Sequence, residues 1–417
     1  MKKKYLYIFL ITILYASIVS CTTPYSYQTN TFEDAIVIEA TITNELKKQE
    51  IKLSRTYKFE EDGPIFETEA DVYITDNLEN QYSFEEVDQK YISTSEFQAL
   101  PDRNYQLHIT TKDGRSYSST NEKLTTVNEI ETVVPVVTKK EGVLGVEIIV
   151  TSFDPTNTSK YYRYEYEETN KIIAPRWVST EAVARYFPPG SAQEGEIILK
   201  QRETETRTCF STKKSDHIIL TNTNNLSEDR VNFPVRFISS SNYIIANRYS
   251  ILVKQYVQNF AAHTFYQTLK DISGSESILS QTQPGFFAGN IKSDDNPNEK
   301  VIGFFDVSSV ANKRMFFNFS DLFPAEPPPK YPYDCPEITV NNEREYIFKY
   351  CFAPPPSSCK GLTILSNFIG RNTVYYGGWG LFGVVPTDGS VDIQMYPIQC
   401  GDCTSFSSNI KPTFWID

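Results

Sequence analysis

Apolar and polar residues alternate with a period of two through the early part of the chain. The alternation is clear in residues 36–42, 51–53, 70–74 and 105–109, and it places every second side chain on one face of an extended strand. Asp113-Gly114 follows the last of these segments and is a strong hairpin-turn signal. No helical period interrupts them, so we predict an antiparallel β-sandwich over residues 34–128, either immunoglobulin-like or transthyretin-like.

Residues 129–417 continue this pattern and are predicted to form a larger β-rich domain. One predicted strand alternates tyrosines with charged residues: Tyr162, Arg163, Tyr164, Glu165, Tyr166 and Glu167. This strand therefore has an aromatic face and a charged face. We interpret the tyrosines as a stripe packed in the core; the alternative is a platform on which a ligand stacks.

One stretch changes to the helical period. Four apolar residues fall at i, i+4, i+8 and i+11 of one stripe: Ala261, Phe265, Leu269 and Ile272. Asn259 can cap the start of this helix, and Gly274 stands where the helix is expected to stop. We predict one helix near residues 260–273 that covers an edge or an end of the second sheet system.

The first 21 residues follow a third pattern, in which three lysines precede an apolar run from Tyr5 to Val19 and Cys21 comes soon after. This order is typical of a bacterial lipoprotein signal peptide, here residues 1–20. The run is shorter than the roughly 20 apolar residues of a spanning helix, which disfavours the alternative of an uncleaved anchor. We predict lipidation of Cys21, a two-chain attachment to the membrane and a polar tether over residues 21–33.

Composition narrows the class of partner. The formal charge is −12, and it becomes more negative when the signal lysines leave. An acidic chain without a basic cluster argues against binding to nucleic acid or to anionic lipid through charge. The aromatic fraction is 14%, with 27 tyrosines, and tyrosine suits half-buried strands because its ring packs inward while its hydroxyl stays wet.

Six further cysteines are present, and all except Cys209 lie in the last fifth of the chain: Cys209, Cys335, Cys351, Cys359, Cys400 and Cys403. Export would place them where thiols oxidise, so we predict structural disulfides and a disulfide-rich C-terminal region, with the pairing left open. Cys400-Gly-Asp-Cys403 has two other interpretations. A redox pair needs a strand-to-helix context, and a zinc site needs a second pair of ligands, while the histidines are scattered.

Two segments are weaker candidates for ligand binding. Residues 294–299 are acidic enough to suggest calcium, but they lack the alternate-ligand spacing of a calcium loop, so we predict a solvated turn. Tyr375, Tyr376 and Trp379 lie among glycines and are candidates for stacking against a ligand; an ordinary turn or bulge is the alternative.

Motifs for catalysis are missing from the sequence. It contains no Gly-x-Ser-x-Gly elbow, no His-Glu-x-x-His and no phosphate-binding glycine loop. We therefore expect a protein that is not an enzyme, with no catalytic residues, no cofactor and no metal.

Several stretches, in their order along the chain, resemble one family. They are 36–44 with 51–56, Tyr105–Gly114, Tyr249–Tyr256, Val301–Phe305, and Cys400–Cys403 with Lys411-Pro412-x-Phe414-Trp415. Together they resemble the Bacteroidota lipoprotein family known as domain of unknown function 4249. The resemblance covers essentially the whole mature chain, except that residues 323–359 depart from it by being rich in proline and cysteine.

The resemblance implies an exported lipoprotein that is frequently encoded beside a TonB-dependent outer-membrane receptor. It supplies no catalytic residues. We expect an accessory or binding subunit of such a β-barrel receptor, held in the outer membrane by the lipid on Cys21, on the periplasmic or the cell-surface face. A stand-alone lipoprotein that binds a glycan or a peptide is the second hypothesis, and a secreted hydrolase is the third.

Overall fold

The computed structural model describes residues 35–57, 63–186, 195–273, 289–339, 374–379 and 393–417. These residues form a mainly β protein, which confirms the fold class predicted from the alternating pattern. The predicted signal peptide, the predicted tether and Cys21 lie outside the described residues. None of the helices in the described part of the chain is long and apolar enough to cross a bilayer.

Nine short strands come first. They are β1 (Ile36–Thr43), β2 (Glu50–Arg55), β3 (Ile65–Phe66), β4 (Asp71–Asp76), β5 (Gln81–Val87), β6 (Lys90–Ser93), β7 (Asn104–Thr110), β8 (Ser116–Ser119) and β9 (Glu122–Lys123). Every pair among these nine strands is antiparallel, as predicted. Alternate side chains from both ends of the path β1-β2-β6-β5-β4-β7-β8 meet in one buried apolar cluster, so the sheet curves around its own core.

A second set of strands follows. It comprises β10 (Ile130–Lys140), β11 (Val143–Asp154), β12 (Tyr161–Ile173), β13 (Thr180–Tyr186), β14 (Gly195–Gln201), β15 (Thr208–Lys214), β16 (Ile219–Asn222), β17 (Asp229–Ser239) and β18 (Arg248–Gln258). Strands β10, β11 and β17 form a three-stranded sheet, and β12 pairs with β15, β16 and β18. Side chains of both groups share one core cluster, so the two groups pack face to face.

The chain then returns to the first sheet. It forms helix α1 (Phe260–Ser273), β19 (Ile291–Ser293), β20 (Val301–Asn318) and the short helix α2 (Phe319–Leu322). Strand β19 pairs with β8, and the first half of β20 pairs in parallel with β1. The second half of β20 pairs antiparallel with β18. One strand of 18 residues therefore joins both cores into a single sheet.

Helix α1 has the predicted extent, and the Asn259 side chain caps it by accepting the Ala262 amide at 2.8 Å. The predicted stripe is wrong at its first position, because Ala261 is exposed while Ala262 and His263 are buried. The packing partners set this rotation: the His263 ring lies 5.1 Å from that of Tyr161. Gly274 lies outside the described residues.

A disulfide links the C-terminal region to β15 of the second set of strands. The region contains β21 (Ile338–Thr339), β22 (Val374–Trp379), β23 (Ile393–Pro397), helix α3 (Ile398–Gly401) and a 3-10 turn (Cys403–Ser405). Disulfides join Cys209 to Cys403 and Cys335 to Cys400, which confirms the prediction of structural disulfides. The two cysteines of the Cys-x-x-Cys motif thus have different partners, so they are not a redox pair with each other. Cys351 and Cys359 lie outside the described residues.

The last residues anchor the tail. Trp415 is buried, and its ring lies 5.0 Å from Phe210 and 5.8 Å from Phe316. The Arg314 guanidinium lies 3.5 Å from the centre of the Phe414 ring. The Phe-Trp pair near the end of the sequence therefore packs the tail against β15 and β20.

Candidate functional site

A groove opens on the sheet face beneath helix α1, where β20 changes its partner from β1 to β18. Its volume is about 680 Å³, within the range of small-molecule sites. Five strands and the helix contribute most of its lining, and Lys214 of a sixth strand, β15, adds to it. The main lining residues are Val37, Glu39 and Thr41 of β1, Glu50 and Lys52 of β2, Arg163 and Glu165 of β12, Lys254 and Tyr256 of β18, Ile302 and Phe304 of β20, and Phe265, Tyr266 and Leu269 of α1. Lys47 and Lys48 also line it.

Strand β12 explains why charges line this groove. Tyr162, Tyr164 and Tyr166 are buried in the core between the sheets, which confirms the packed stripe over the ligand platform. The hydroxyl of Tyr162 donates to Asp229 at 2.7 Å, and that of Tyr164 donates to Gln255 at 2.9 Å. Because strand side chains alternate, the charged face points the other way, towards α1.

Arg163 forms the floor of the groove. Its guanidinium lies between two tyrosine rings, 4.2 Å from the centre of Tyr256 and 4.9 Å from that of Tyr266. Its side chain is only 10% exposed. Nη1 donates to Glu165, whereas the buried Nε has no hydrogen-bond partner among the described residues. Burial opposes its charge, but Tyr266 and Glu165 outweigh burial and raise the pKa of Arg163 above its usual value.

The Glu165 carboxylate accepts hydrogen bonds from two of these neighbours. One carboxylate oxygen accepts from Arg163, and the other accepts from the Tyr256 hydroxyl at 3.1 Å. Burial raises the pKa of Glu165, but Arg163 and these hydrogen bonds outweigh it, so the net shift is downward. Both oxygens of this carboxylate are thus occupied, and Glu165 stays ionised near neutral pH.

The remaining lysines fall into two groups. At the rim, Lys47 pairs with Glu45 at 2.6 Å and Lys52 pairs with Glu39 at 3.5 Å. Lys214, which is exposed, and Lys254, which is half-buried, form no salt bridge with any residue that the structure describes. They lie across from Glu165 and Glu167 on the neighbouring strand, Lys254 opposite Glu165 and Lys214 opposite Glu167, so they add positive charge beside Arg163.

A second buried charge lies close by, on the same face of β20. Asp306 is 0% exposed. Its Oδ2 accepts from the Gln258 amide at 3.0 Å, whereas Oδ1 has no partner among the described residues. Burial raises the pKa of Asp306, and this effect outweighs the opposing influence of Arg163.

The three histidines lie in separate places. His108 lies on β7. Its Nε2 contacts the Thr75 hydroxyl of the neighbouring strand β4 at 3.0 Å, and its ring stacks on Tyr73 of the same strand. His217 is exposed and contacts its neighbour Asp216. His263 packs in the base of α1, where burial lowers its pKa. None of them lines the groove.

The acidic segment 294–299 is tied to β8. Asp295 accepts from the Ser116 amide at 2.9 Å, and Glu299 accepts from the Tyr117 hydroxyl at 2.6 Å. Within the described ranges, no three histidine, cysteine or acidic side chains cluster as metal ligands would. The carboxylates that suggested calcium thus make hydrogen bonds that hold a turn.

Tyr375, Tyr376 and Trp379 belong to β22, which pairs with β23. Only the backbone of these three residues is described, so ligand stacking there stays a prediction. The residues of the groove were not singled out from sequence as a site. The signal that could have found them is the charged face of β12, because a charged face in a central strand needs a polar partner or a ligand.

Comparison with known sequences finds a family profile that matches this chain. The profile described as Domain of unknown function (DUF4249) matches residues 22–314, more than half of the chain. No curated protein matches the sequence. The groove from Val37 to Phe304 lies wholly within the matched residues, whereas Cys335, Cys400 and Cys403 lie beyond them.

Proposed function

The chain belongs to the family described as domain of unknown function DUF4249, and on this premise we propose that it is a non-enzymatic, lipid-anchored binding subunit of the outer membrane. The observation that carries the proposal is the groove beneath α1, with its volume of about 680 Å³ and its aromatic and charged lining. Pre-formed concave sites of this size are typical of ligand binding.

The partner that we propose is a TonB-dependent β-barrel receptor. Its support is the sequence resemblance, which implies lipoproteins that are frequently encoded beside such receptors. The lipoprotein pattern ending at Cys21 supports attachment to the same membrane. Tethering would hold the groove at a high effective concentration beside the receptor, which strengthens binding without any new contact.

Affinity purification tests the partnership. The full-length protein with a C-terminal tag is purified from detergent-solubilised outer membranes, and the proteins recovered with it are identified by mass spectrometry. We expect one β-barrel receptor to be enriched over a matched preparation of an unrelated tagged lipoprotein. Recovery of barrel proteins only at the level of that control contradicts the proposal.

A Cys21→Ser variant tests the role of the anchor. It removes the proposed lipid and leaves the described fold untouched, so we expect a folded, disulfide-bonded protein that is released from the membrane and loses its function in cells. Fractionation followed by immunoblotting measures the release. Full function of the soluble form would show that tethering plays no part.

The second candidate function is a stand-alone module that binds a glycan or a peptide. The tyrosine rings of Tyr256 and Tyr266 at the groove favour it, because aromatic rings supply apolar contact area. Binding on a glycan array, with no barrel recovered in the purification, would support this function over the first. Glycan binding that survives Trp379→Ala would exclude the stretch 375–379 as the binding surface.

A further inference from the structure

We infer that the groove beneath α1 binds a carboxylate on an apolar body, with Arg163 at the floor and Lys214 and Lys254 beside it. This inference rests on the binding role proposed above, and it is independent of the receptor partnership. The same chemistry is offered by a free alkyl acid and by an acidic residue of a peptide, and the experiment distinguishes these two sources.

The state of Arg163 is the first argument. A guanidinium has five N–H donors, and Nη1 donates the one hydrogen bond that this group makes to the described residues. Its Nε is buried without a partner, which is costly for a charged group. Two tyrosine rings and Glu165 hold the guanidinium in one place at the floor of the groove, and its buried Nε can meet a ligand only when the side chains around it shift. The planar fork of arginine matches a carboxylate.

The balance of charge is the second argument. Lys254 lies opposite Glu165, whose two oxygens are already engaged by Arg163 and Tyr256, and Lys214 lies opposite Glu167, which pairs with Arg314. The other lysines at the rim have acidic partners of their own. A net positive site in a chain of formal charge −12 attracts an anion and disfavours a cation.

The apolar walls define the rest of the ligand. Phe265 and Leu269 of α1 face the strands, and the Phe265 ring lies 5.6 Å from that of Phe304. Ile302 completes this side of the groove. Burial of an alkyl chain against these side chains stabilises the bound ligand, so a bare inorganic anion would leave much of the site unused.

Calorimetric titration of the full-length protein in detergent tests the inference. Four probes are compared: hexanoate, its neutral analogue hexanamide, the capped tripeptide Leu-Glu-Leu, and the same peptide with glutamine at its centre. We expect saturable binding of at least one acidic probe, tighter than its neutral analogue by roughly tenfold or more, and weakened by salt. Binding of hexanoate identifies a free acid as the ligand class, and binding of the acidic peptide alone identifies a protein segment.

Charge-matched variants locate the site. Lys214→Gln combined with Lys254→Gln removes two positive charges beside the groove, and we expect it to weaken binding of the acidic probe roughly tenfold or more. The control is Lys112→Gln combined with Lys411→Gln, which removes the same charge from lysines that are paired with Glu69 and Asp417, and none of these four residues lines the groove. This control should bind as the unmodified protein does.

Arg163→Gln tests the floor directly, with the unfolding midpoint measured alongside. We expect a folded protein that binds neither acidic probe measurably. The inference is overturned if neither acidic probe binds, if acidic and neutral probes bind alike, or if the Lys214/Lys254 variant binds as tightly as the control. The titration requires no receptor, so a negative titration does not contradict the proposed receptor partnership. A negative purification likewise does not contradict the proposed carboxylate site.

Discussion

Among single residues, the two buried charges beneath α1 differ in how they are compensated. Arg163 has Glu165 and two tyrosine rings around it. Asp306 accepts from Gln258, and Ser308 and the Val307 backbone also favour its charge, but its Oδ1 has no close hydrogen-bond partner among the described residues. A buried charge with incomplete compensation opposes folding, so Asp306 lowers the stability of the protein at neutral pH.

Replacing Asp306 with asparagine should raise stability at pH 7. Burial raises the pKa of Asp306 in the folded protein, so the unfolded chain loses this proton first, near its ordinary pKa of roughly 3.9. Stability is therefore lost as pH rises from that value through the folded pKa. Asparagine keeps an acceptor for Gln258 and removes the charge. Urea unfolding at pH 4 and pH 7 measures the effect, and we expect the gain over the unmodified protein at pH 7 to shrink at pH 4.

Gln258 supplies the control for this prediction. The Gln258→Ala variant removes the hydrogen bond and leaves the carboxylate in place, so it should be less stable than the unmodified protein at pH 7. An Asp306→Asn variant whose stability relative to the unmodified protein is the same at both pH values would show that this carboxyl does not titrate with folding.

On the scale of secondary-structure elements, β20 is the feature on which the others depend. Its first half runs parallel to β1 and its second half runs antiparallel to β18. Beside its first half, the Asn290 side chain acts as a strand partner: Oδ1 accepts from the Phe305 amide at 2.7 Å, and Nδ2 donates to the Phe305 carbonyl at 2.9 Å. A single side chain therefore completes the backbone pairing of β20 in a buried place.

Asn290→Ala should cost roughly 1–3 kcal/mol of unfolding free energy, because it leaves a buried amide and a buried carbonyl of Phe305 without these partners. Chemical denaturation measures the loss. Asn298→Ala in the neighbouring exposed turn is the matched control, and it should change stability little. Equal effects of the two substitutions would mean that the hydrogen bonds between Asn290 and Phe305 add nothing to stability.

The elements show how far the sequence predicted this site. Alternation in β12 predicted an aromatic and a charged face, and the helical period predicted the extent of α1. The rotation of α1 could not be predicted, because Tyr161 and Phe304 set it through packing. The groove could not be predicted either, because its strands lie far apart in the chain and meet through a parallel pair, β1 with β20, that has no local signal.

For the molecule as a whole, one disulfide attaches residues beyond the family match to residues within it. The Cys209–Cys403 bond joins β15 to the C-terminal turn, and both sulfurs are buried with Ile172 and Ala174. The tail adds a hydrogen bond to β15, in which the Ser408 carbonyl accepts from the Phe210 amide at 2.7 Å. The C-terminal region is thus held by a covalent link as well as by packing.

Removal of this link, by Cys209→Ala with Cys403→Ala, should lower the unfolding free energy by roughly 2–4 kcal/mol. Denaturation under oxidising conditions measures the loss, and limited proteolysis should show earlier cleavage near residue 403. A reducing agent added to the unmodified protein provides the comparison. Unchanged stability and cleavage in the double variant would show that packing of the tail suffices.

The return of the chain to its first sheet has a consequence for the export that we propose. Strand β1 is covered by β20, and β8 is covered by β19, and both covering strands come after residue 290. A chain that emerges from its N-terminus first would therefore present two unpaired sheet edges until those residues follow. Such edges are templates for intermolecular pairing, and closure over so long a loop is slow. We therefore expect a chaperone to protect the edges of β1 and β8 until β20 and β19 have followed.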